Sequence, residues 1–149
     1  MSALRRAAVC LALVCPLAAG APHAKAHPSP SPMVDKINEV RRAHGLATLH
    51  YSPSLGRSSS RFSRRLLRTG RFAHAARIMA SSRFSSLGEI LARTRGWSIR
   101  RTQTLRYWLG SPRHRSVLLS GSFRHVGAGR ARGHFGSTRA VVWTIQLGR

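Results

Sequence analysis

Hydrophobic side chains recur at helical spacing in the stretch that follows the N-terminal segment of the chain. The pattern predicts a helix that starts near Met33 and ends at Gly45. Acidic residues in its early turns suit the positive end of a helix dipole. One face of this predicted helix is formed by Val34, Ile37, Val40 and either Arg41 or His44.

A second helix is predicted from Pro53 to about Thr69, after a short extended stretch at residues 46–51. Ser52 followed by a proline is a typical cap and first residue of a helix, and Gly70 is a typical C-terminal stop. Arginines cover much of its polar surface. Its other side is formed by Leu55, Ser59, Phe62 and Leu66.

A third helix is predicted from Ser98 to Leu109. Gly110 is expected to end this helix in the left-handed conformation. Ser111 and Pro112 then repeat the signal of a cap followed by proline, which predicts the start of a new helical turn.

The last part of the chain has the pattern of two strands. The first strand is predicted at residues 123–131 and the second at residues 140–147, with a turn at residues 133–138. The second strand is rich in β-branched and aromatic residues, which favour extended structure.

The N-terminal segment is typical of a secretory signal. A pair of arginines precedes an apolar run at residues 7–17, which is too short to span a bilayer. We therefore expect a signal peptide at residues 1–26, a proline-rich linker at residues 27–32 and one domain at residues 33–149. The protein is then expected to be extracellular, periplasmic or associated with the cell wall.

Both cysteines, Cys10 and Cys15, lie in the predicted signal peptide. The mature chain is therefore expected to contain no disulfide, so that its fold depends on packing alone. No later run of about 20 apolar residues occurs, and no transmembrane anchor is expected in the mature chain. We expect a monomer.

The charge of the chain is strongly one-sided, with 26 Lys and Arg residues against 3 Asp and Glu and a formal net charge of +23. A surface of this kind favours anionic partners, namely cell-wall polymer, phospholipid or nucleic acid. Nucleic acid is the less favoured of these, because the aromatic residues have the pattern of core positions. An arginine-biased composition without a dedicated partner is the alternative.

One carboxylate, Glu89, stands alone in the chain after Glu39. In one interpretation it neutralises nearby guanidinium groups or accepts hydrogen bonds from buried backbone donors. In the other it gathers with His74 and His114 around one pocket, because two imidazoles and a carboxylate form a known zinc ligand set. His114 falls in the first turn predicted after Ser111, where the helix dipole favours a neutral imidazole.

Several classes of enzyme are disfavoured by the residues present. No serine lies in a Gly-x-Ser-x-Gly elbow, and no cysteine remains in the predicted mature chain. Glycosidase chemistry usually needs two carboxyl groups across the sugar bond, and the body of the domain has only Glu89.

The order of several short motifs resembles the CAP superfamily, which comprises cysteine-rich secretory proteins, antigen 5 and pathogenesis-related proteins. It is most similar to the cysteine-free bacterial branch, and the resemblance covers nearly the whole predicted mature chain. The motifs are Ile37-Asn38-Glu39, Arg42-Ala43-His44-Gly45-Leu46, Tyr51-Ser52-Pro53-Ser54-Leu55, Phe72-Ala73-His74, Leu87-Gly88-Glu89-Ile90-Leu91-Ala92, Trp108-Leu109-Gly110-Ser111-Pro112-Arg113-His114-Arg115-Ser116-Val117-Leu118-Leu119 and Phe123-Arg124-His125-Val126-Gly127-Ala128-Gly129.

The resemblance implies an α+β fold, an α-β-α sandwich with a small antiparallel sheet between helical layers. It also implies a cleft with a His/Glu tetrad, in which His74 matches the first histidine, Glu89 the first glutamate and His114 the second histidine. The second glutamate has no match and would fall near Ser111. His74, Glu89 and His114 are thus the candidate cleft and metal ligands, and zinc is the candidate cofactor.

Three functions follow as hypotheses from these observations. The first is a secreted, non-enzymatic binding module at the bacterial cell envelope, with the His/Glu cleft taking a small ligand or metal ion. The second is a hydrolase assisted by a metal in that cleft. The third is a cationic protein that binds polyanions or acts on membranes.

Overall fold

A computed structural model of the chain describes residues 31–80, 83–98 and 100–149. The predicted signal peptide lies outside these residues, as does most of the predicted linker. The described part of the chain forms four helices and four strands. In chain order these are α1 (Pro32–Ala43), β1 (His50–Tyr51), α2 (Pro53–Thr69), β2 (Leu87–Arg95), α3 (Arg101–Gly110), α4 (Pro112–Leu118), β3 (His125–Phe135) and β4 (Thr138–Gly148).

The four strands form one sheet in the order β1-β3-β4-β2. The pairs β3–β4 and β2–β4 are antiparallel over long stretches, whereas the two residues of β1 pair with β3 in parallel. The predicted antiparallel sheet therefore gains one short parallel pair, and the sheet is mixed. Its order leaves β2 as an edge strand.

Helix α2 lies directly on the backbone of β3. Ser59 donates a hydrogen bond to the carbonyl of Gly127 at 3.2 Å, and Ser63 donates to the carbonyl of Gly129 at 3.3 Å. A side chain on Gly127 would lie 2.2 Å from the backbone nitrogen of Gly56. The glycines of β3 therefore allow an approach of helix to sheet that no larger residue permits.

The opposite face of the sheet carries the larger apolar core. Alternate residues of a strand point to opposite faces, and the residues of β4 in this core alternate with those that face α2. Helices α1, α3 and α4 cover the core, so the sheet lies between two helical layers and the predicted α-β-α sandwich is confirmed. The buried residues of this apolar core include Met33, Ile37, Leu105, Trp108, Leu118, Val126, Val141, Trp143, Ile145 and Leu147.

A buried arginine joins α1 to the end of α4. The sequence predicts either Arg41 or His44 on the inner face of α1. In the structure Arg41 is buried and His44 is exposed. Arg41 donates from Nη1 to the carbonyls of Leu118 at 2.7 Å and Ser120 at 2.9 Å. These carbonyls lie at the C-terminal end of α4, where a cation is stabilised by the helix dipole.

Several local boundaries were predicted wrongly. Helix α3 begins at Arg101 and not at the predicted Ser98. Gly110 is the last residue of α3 and lacks the positive φ of a left-handed cap, whereas Gly45 and Gly70 have it. Strand β3 continues to Phe135, because it stays paired with β4 as far as the register Phe135↔Thr138. The predicted turn is accordingly reduced to Gly136 and the residue after it.

Substitution of Gly127 by alanine should destabilise the fold strongly, because the new Cβ meets the backbone of α2 at 2.2 Å. We expect Gly127→Ala to lower the free energy of unfolding by about 3 kcal/mol or more, the upper end of the usual cost of overpacking. Gly121→Ala is the matched control, since no atom lies within 4 Å of its added Cβ. Equal urea midpoints for the two variants would contradict the close packing of α2 on β3.

Candidate functional site

The one carboxylate side chain that follows α1 among the described residues is buried on the face of the sheet that α2 covers. Glu89 is the third residue of β2 and pairs with Gln146 of β4. Because paired residues in adjacent strands have side chains on the same face, the Glu89 and Gln146 side chains lie side by side. The Glu89 side chain is 6% exposed, and that of His74 is 60% exposed.

Both carboxylate oxygens of Glu89 accept hydrogen bonds. Oε1 accepts from His74 Nδ1 at 3.0 Å and from the backbone N–H of Ala75 at 3.0 Å. Oε2 accepts from Gln146 Nε2 at 2.9 Å. An ionised carboxylate can only accept, so the proton of His74 lies on Nδ1 and Glu89 fixes the orientation of the ring.

His114 is the third residue of α4, in the first turn as the sequence predicts. Burial lowers the pKa of His114 below its ordinary value, and the charge of His74 lowers this pKa further. The direction agrees with the expectation of a neutral imidazole, and its causes are burial first and the charge of His74 second. The pKa of His114 thus depends on the charge of His74.

Two grooves open around this cluster. The first, here called the cationic groove, lies between α2 and the segment 71–79 and has a volume of about 750 Å³. The second, here called the edge groove, follows β2 over residues 91–95 and has a volume of about 720 Å³. His74 lines the cationic groove, and His114 lines the edge groove.

The structure therefore brings His74 and Glu89 into direct contact and places His114 beside a different groove. The segment that follows α2 separates the two spaces, because Phe72 lines the edge groove while its neighbours Arg71 and Ala73 line the cationic groove. One shared pocket is the arrangement that the sequence suggested, and two adjoining grooves are the arrangement observed.

Sequence reasoning missed two partners of Glu89. A glutamine in the mostly apolar run of residues 140–147 is an unusual residue at a buried position, and Gln146 was detectable on that ground. The backbone N–H of Ala75 carries no sequence signal, because any residue other than proline supplies the same donor.

The donor set is poorly arranged for a metal ion. Among residues 31–80, 83–98 and 100–149, no three or more His, Cys, Asp or Glu side chains form a group that could hold one. To bind zinc, Glu89 would have to release hydrogen bonds from His74, Ala75 or Gln146. The zinc ligand set stays a prediction of the resemblance, and no chemical step is derived from it.

The comparison with protein families identifies the family of the chain. The sequence model of the Cysteine-rich secretory protein family, CAP, matches residues 34–147. The chain belongs to this family. No curated protein matches the CAP chain significantly in sequence.

Solved CAP structures show the same fold. An outer surface protein of Borrelia burgdorferi is similar with a TM-score of 0.66 and 18% identity, covering 78% of this chain and 89% of that chain. An extracellular protein of Bacillus anthracis with an SCP domain is similar with a TM-score of 0.63 and 21% identity, covering 78% of this chain and 39% of that chain. Venom allergen-like protein 4 of Schistosoma mansoni is similar with a TM-score of 0.56 and 12% identity, covering 78% of this chain and 84% of that chain.

The tetrad that the family resemblance implies lacks a match for its second glutamate in this chain. Ser111, near which the resemblance places the second glutamate, is the N-cap residue of α4 without a capping hydrogen bond from its side chain, and it lines the edge groove together with His114. No helix within the described ranges is long and apolar enough to cross a membrane.

The effect of the His74 charge on His114 predicts a measurable change in the pKa of His114 when His74 is replaced. We expect His74→Gln to raise the pKa of His114, because it removes a nearby positive charge, and to leave that pKa below the ordinary 6.5, because burial remains. A pH titration followed by NMR of the imidazole protons measures both values.

The control is His134→Gln, an exposed histidine on β3 that should leave the titration of His114 unchanged. An unaltered His114 pKa in His74→Gln would show that the two rings are not coupled. A wild-type pKa above 6.5 would show that His114 is not desolvated as described.

Proposed function

We propose that this CAP domain is a secreted binding module of the cell envelope and that it takes anionic groups into the cationic groove. The secretory pattern of residues 1–26 supports export. The names of two similar structures, an outer surface protein and an extracellular protein, support the same location.

Four exposed arginines line the cationic groove. Arg61 and Arg65 are one turn apart on α2, and positions four apart on a helix are neighbours on its surface. Arg71 and Arg77 come from the segment that forms the opposite wall. Four guanidinium groups on facing walls provide paired donors for phosphate or carboxylate oxygens.

None of the described residues that line this groove is acidic, and this observation supports the proposal most directly. The carboxylate behind it, Glu89, is buried and already accepts three hydrogen bonds. Like charges that face each other without a counter-charge raise the free energy of the folded state. A bound anion would relieve this repulsion and would stabilise the domain.

Apolar side chains form the rest of the groove. Phe62 and Leu66 face it from α2, and Ala73 and Met79 face it from the other wall. The Met79 side chain is largely exposed. A lining that combines guanidinium groups with apolar surface suits an anionic amphiphile, whose head and chain meet different parts of it. We propose a phosphate ester as the ligand, from a phospholipid or from a wall polymer.

Removal of two groove arginines should weaken binding to anionic membranes. A basic residue at an anionic surface contributes about 1 kcal/mol, so we expect Arg61→Gln/Arg65→Gln to bind phosphatidylglycerol vesicles roughly 30-fold more weakly than wild type at low salt. Vesicle co-sedimentation measures the binding, and binding should weaken further as salt rises because salt screens the charges.

The control variant, Arg106→Gln/Arg113→Gln, has the same net charge and changes exposed arginines of α3 and α4. It should retain binding within about threefold if the groove and not the total charge is responsible. Equal losses in the two double variants, or equal binding to phosphatidylcholine vesicles, would refute the proposal. Competition by soluble polyphosphate distinguishes a phosphate polymer from a lipid as the preferred source.

A further inference from the structure

No strand in the described part of the chain pairs with the outer edge of β2, which faces the edge groove. The sheet order places β2 outermost, with β4 on its other side. In an antiparallel pair, the backbone N–H and C=O of one residue point to the same side and those of the next point to the other. The Gly96 N–H donates to the carbonyl of Arg139 at 2.8 Å, so even-numbered residues turn toward β4.

Odd-numbered residues of β2 therefore turn their backbone groups outward. One contact agrees with this alternation of odd and even residues. The indole N–H of Trp108 in α3 donates to the outward-facing carbonyl of Leu91 at 2.9 Å. Arg93 and Arg95, farther along the strand, then present N–H and C=O groups to the edge groove. Such groups are the template on which a further strand forms.

Exposed aromatic side chains flank this edge. Tyr107 of α3 is 61% exposed and Phe72 is 42% exposed, and both line the edge groove together with Trp97. Tyr107 lies on the side of α3, whereas Arg93 places its guanidinium over the ring of Phe72 at 5.8 Å. The open edge thus has an apolar wall on one face and a cationic wall on the other.

We propose that the edge groove binds an extended acidic peptide, which adds to the sheet as a strand next to β2. Main-chain hydrogen bonds to an exposed sheet edge supply the affinity in this mode of recognition, and alternate side chains supply the specificity. Side chains opposite each other on adjacent strands share a face. Acidic residues of the peptide then lie opposite Arg93 and Arg95, and apolar residues lie opposite Ala92 and Thr94 toward Tyr107.

The charge of the edge selects this partner. No aspartate or glutamate occurs among the described residues of the edge groove, while Arg93 and Arg95 line it and Arg139 lies over the Trp97 ring at 6.0 Å. A second copy of the chain would bring its own arginines against these residues, and like charges across a strand pair are destabilising. An acidic peptide instead forms opposite-charge pairs at the same positions.

A fluorescent peptide of alternating Glu and Val residues is the probe for the full-length protein, with a Lys–Val peptide as the comparison. We expect the Glu peptide to bind at least about tenfold more tightly at low salt, because opposite charges across the strands are favourable. Arg95→Glu should reduce this preference or reverse it. Arg64→Glu, an exposed arginine of α2 outside both grooves, should not.

N-methylation of the peptide separates strand addition from a purely ionic contact. Only alternate amides of an added strand face β2, so N-methyl groups on one alternate set should weaken binding about tenfold or more, while those on the other set should have little effect. Hydrogen exchange at the Arg93 and Arg95 amides should slow when the peptide binds. The exchange at Ala92 and Thr94, which face β4, should not change.

Equal effects of the two methylated sets, or equal binding of the Glu and Lys peptides, would overturn the proposal. Protected Arg93 and Arg95 amides without peptide, together with a dimer in sedimentation, would assign the edge to a second copy instead. The Arg61→Gln/Arg65→Gln variant should bind the Glu peptide as wild type does. The peptide proposal and the cationic-groove proposal can therefore fail independently.

Discussion

The contact of Glu89 with the segment after α2 is the interaction on which the candidate sites depend. A buried carboxylate is costly unless it is paired and hydrogen-bonded, and Glu89 is satisfied by His74, Ala75 and Gln146. Two of these donors belong to the segment that separates the cationic groove from the edge groove. In a domain dominated by arginine, this one carboxylate attaches that wall to the sheet.

The close approach of α2 to the sheet is the second constraint. Gly127 and Gly129 let the helix lie on the backbone of β3, and its serines hydrogen-bond to their carbonyls. The buried side of α2 is thereby fixed, and Arg61 and Arg65 are directed to the opposite, solvent-facing side. Packing of small residues on one side of α2 thus positions the cations on the other.

Local signals predicted the parts of the fold that depend on local chemistry. Ser52 and Gly70 marked the ends of α2 correctly, because a cap and a left-handed stop are properties of a few adjacent residues. The sequence could not reveal that Gly110 stays helical or that β3 continues to Phe135, because tertiary pairing decides both. For the same reason the contact of His74 with Glu89 followed from the family resemblance, whereas the separation of His114 into another groove did not.

Amide hydrogen exchange at Ala75 tests the central role of Glu89 most directly. A hydrogen bond to a charged acceptor is worth about 1.5–3 kcal/mol, so Glu89→Ala should speed exchange at this amide by about tenfold or more and should speed tryptic cleavage after Arg71 and Arg77. Glu39→Ala, which removes an exposed carboxylate of α1, should change neither. Unchanged exchange at Ala75 in Glu89→Ala would contradict the account, because the wall between the grooves would then be held by something other than this carboxylate.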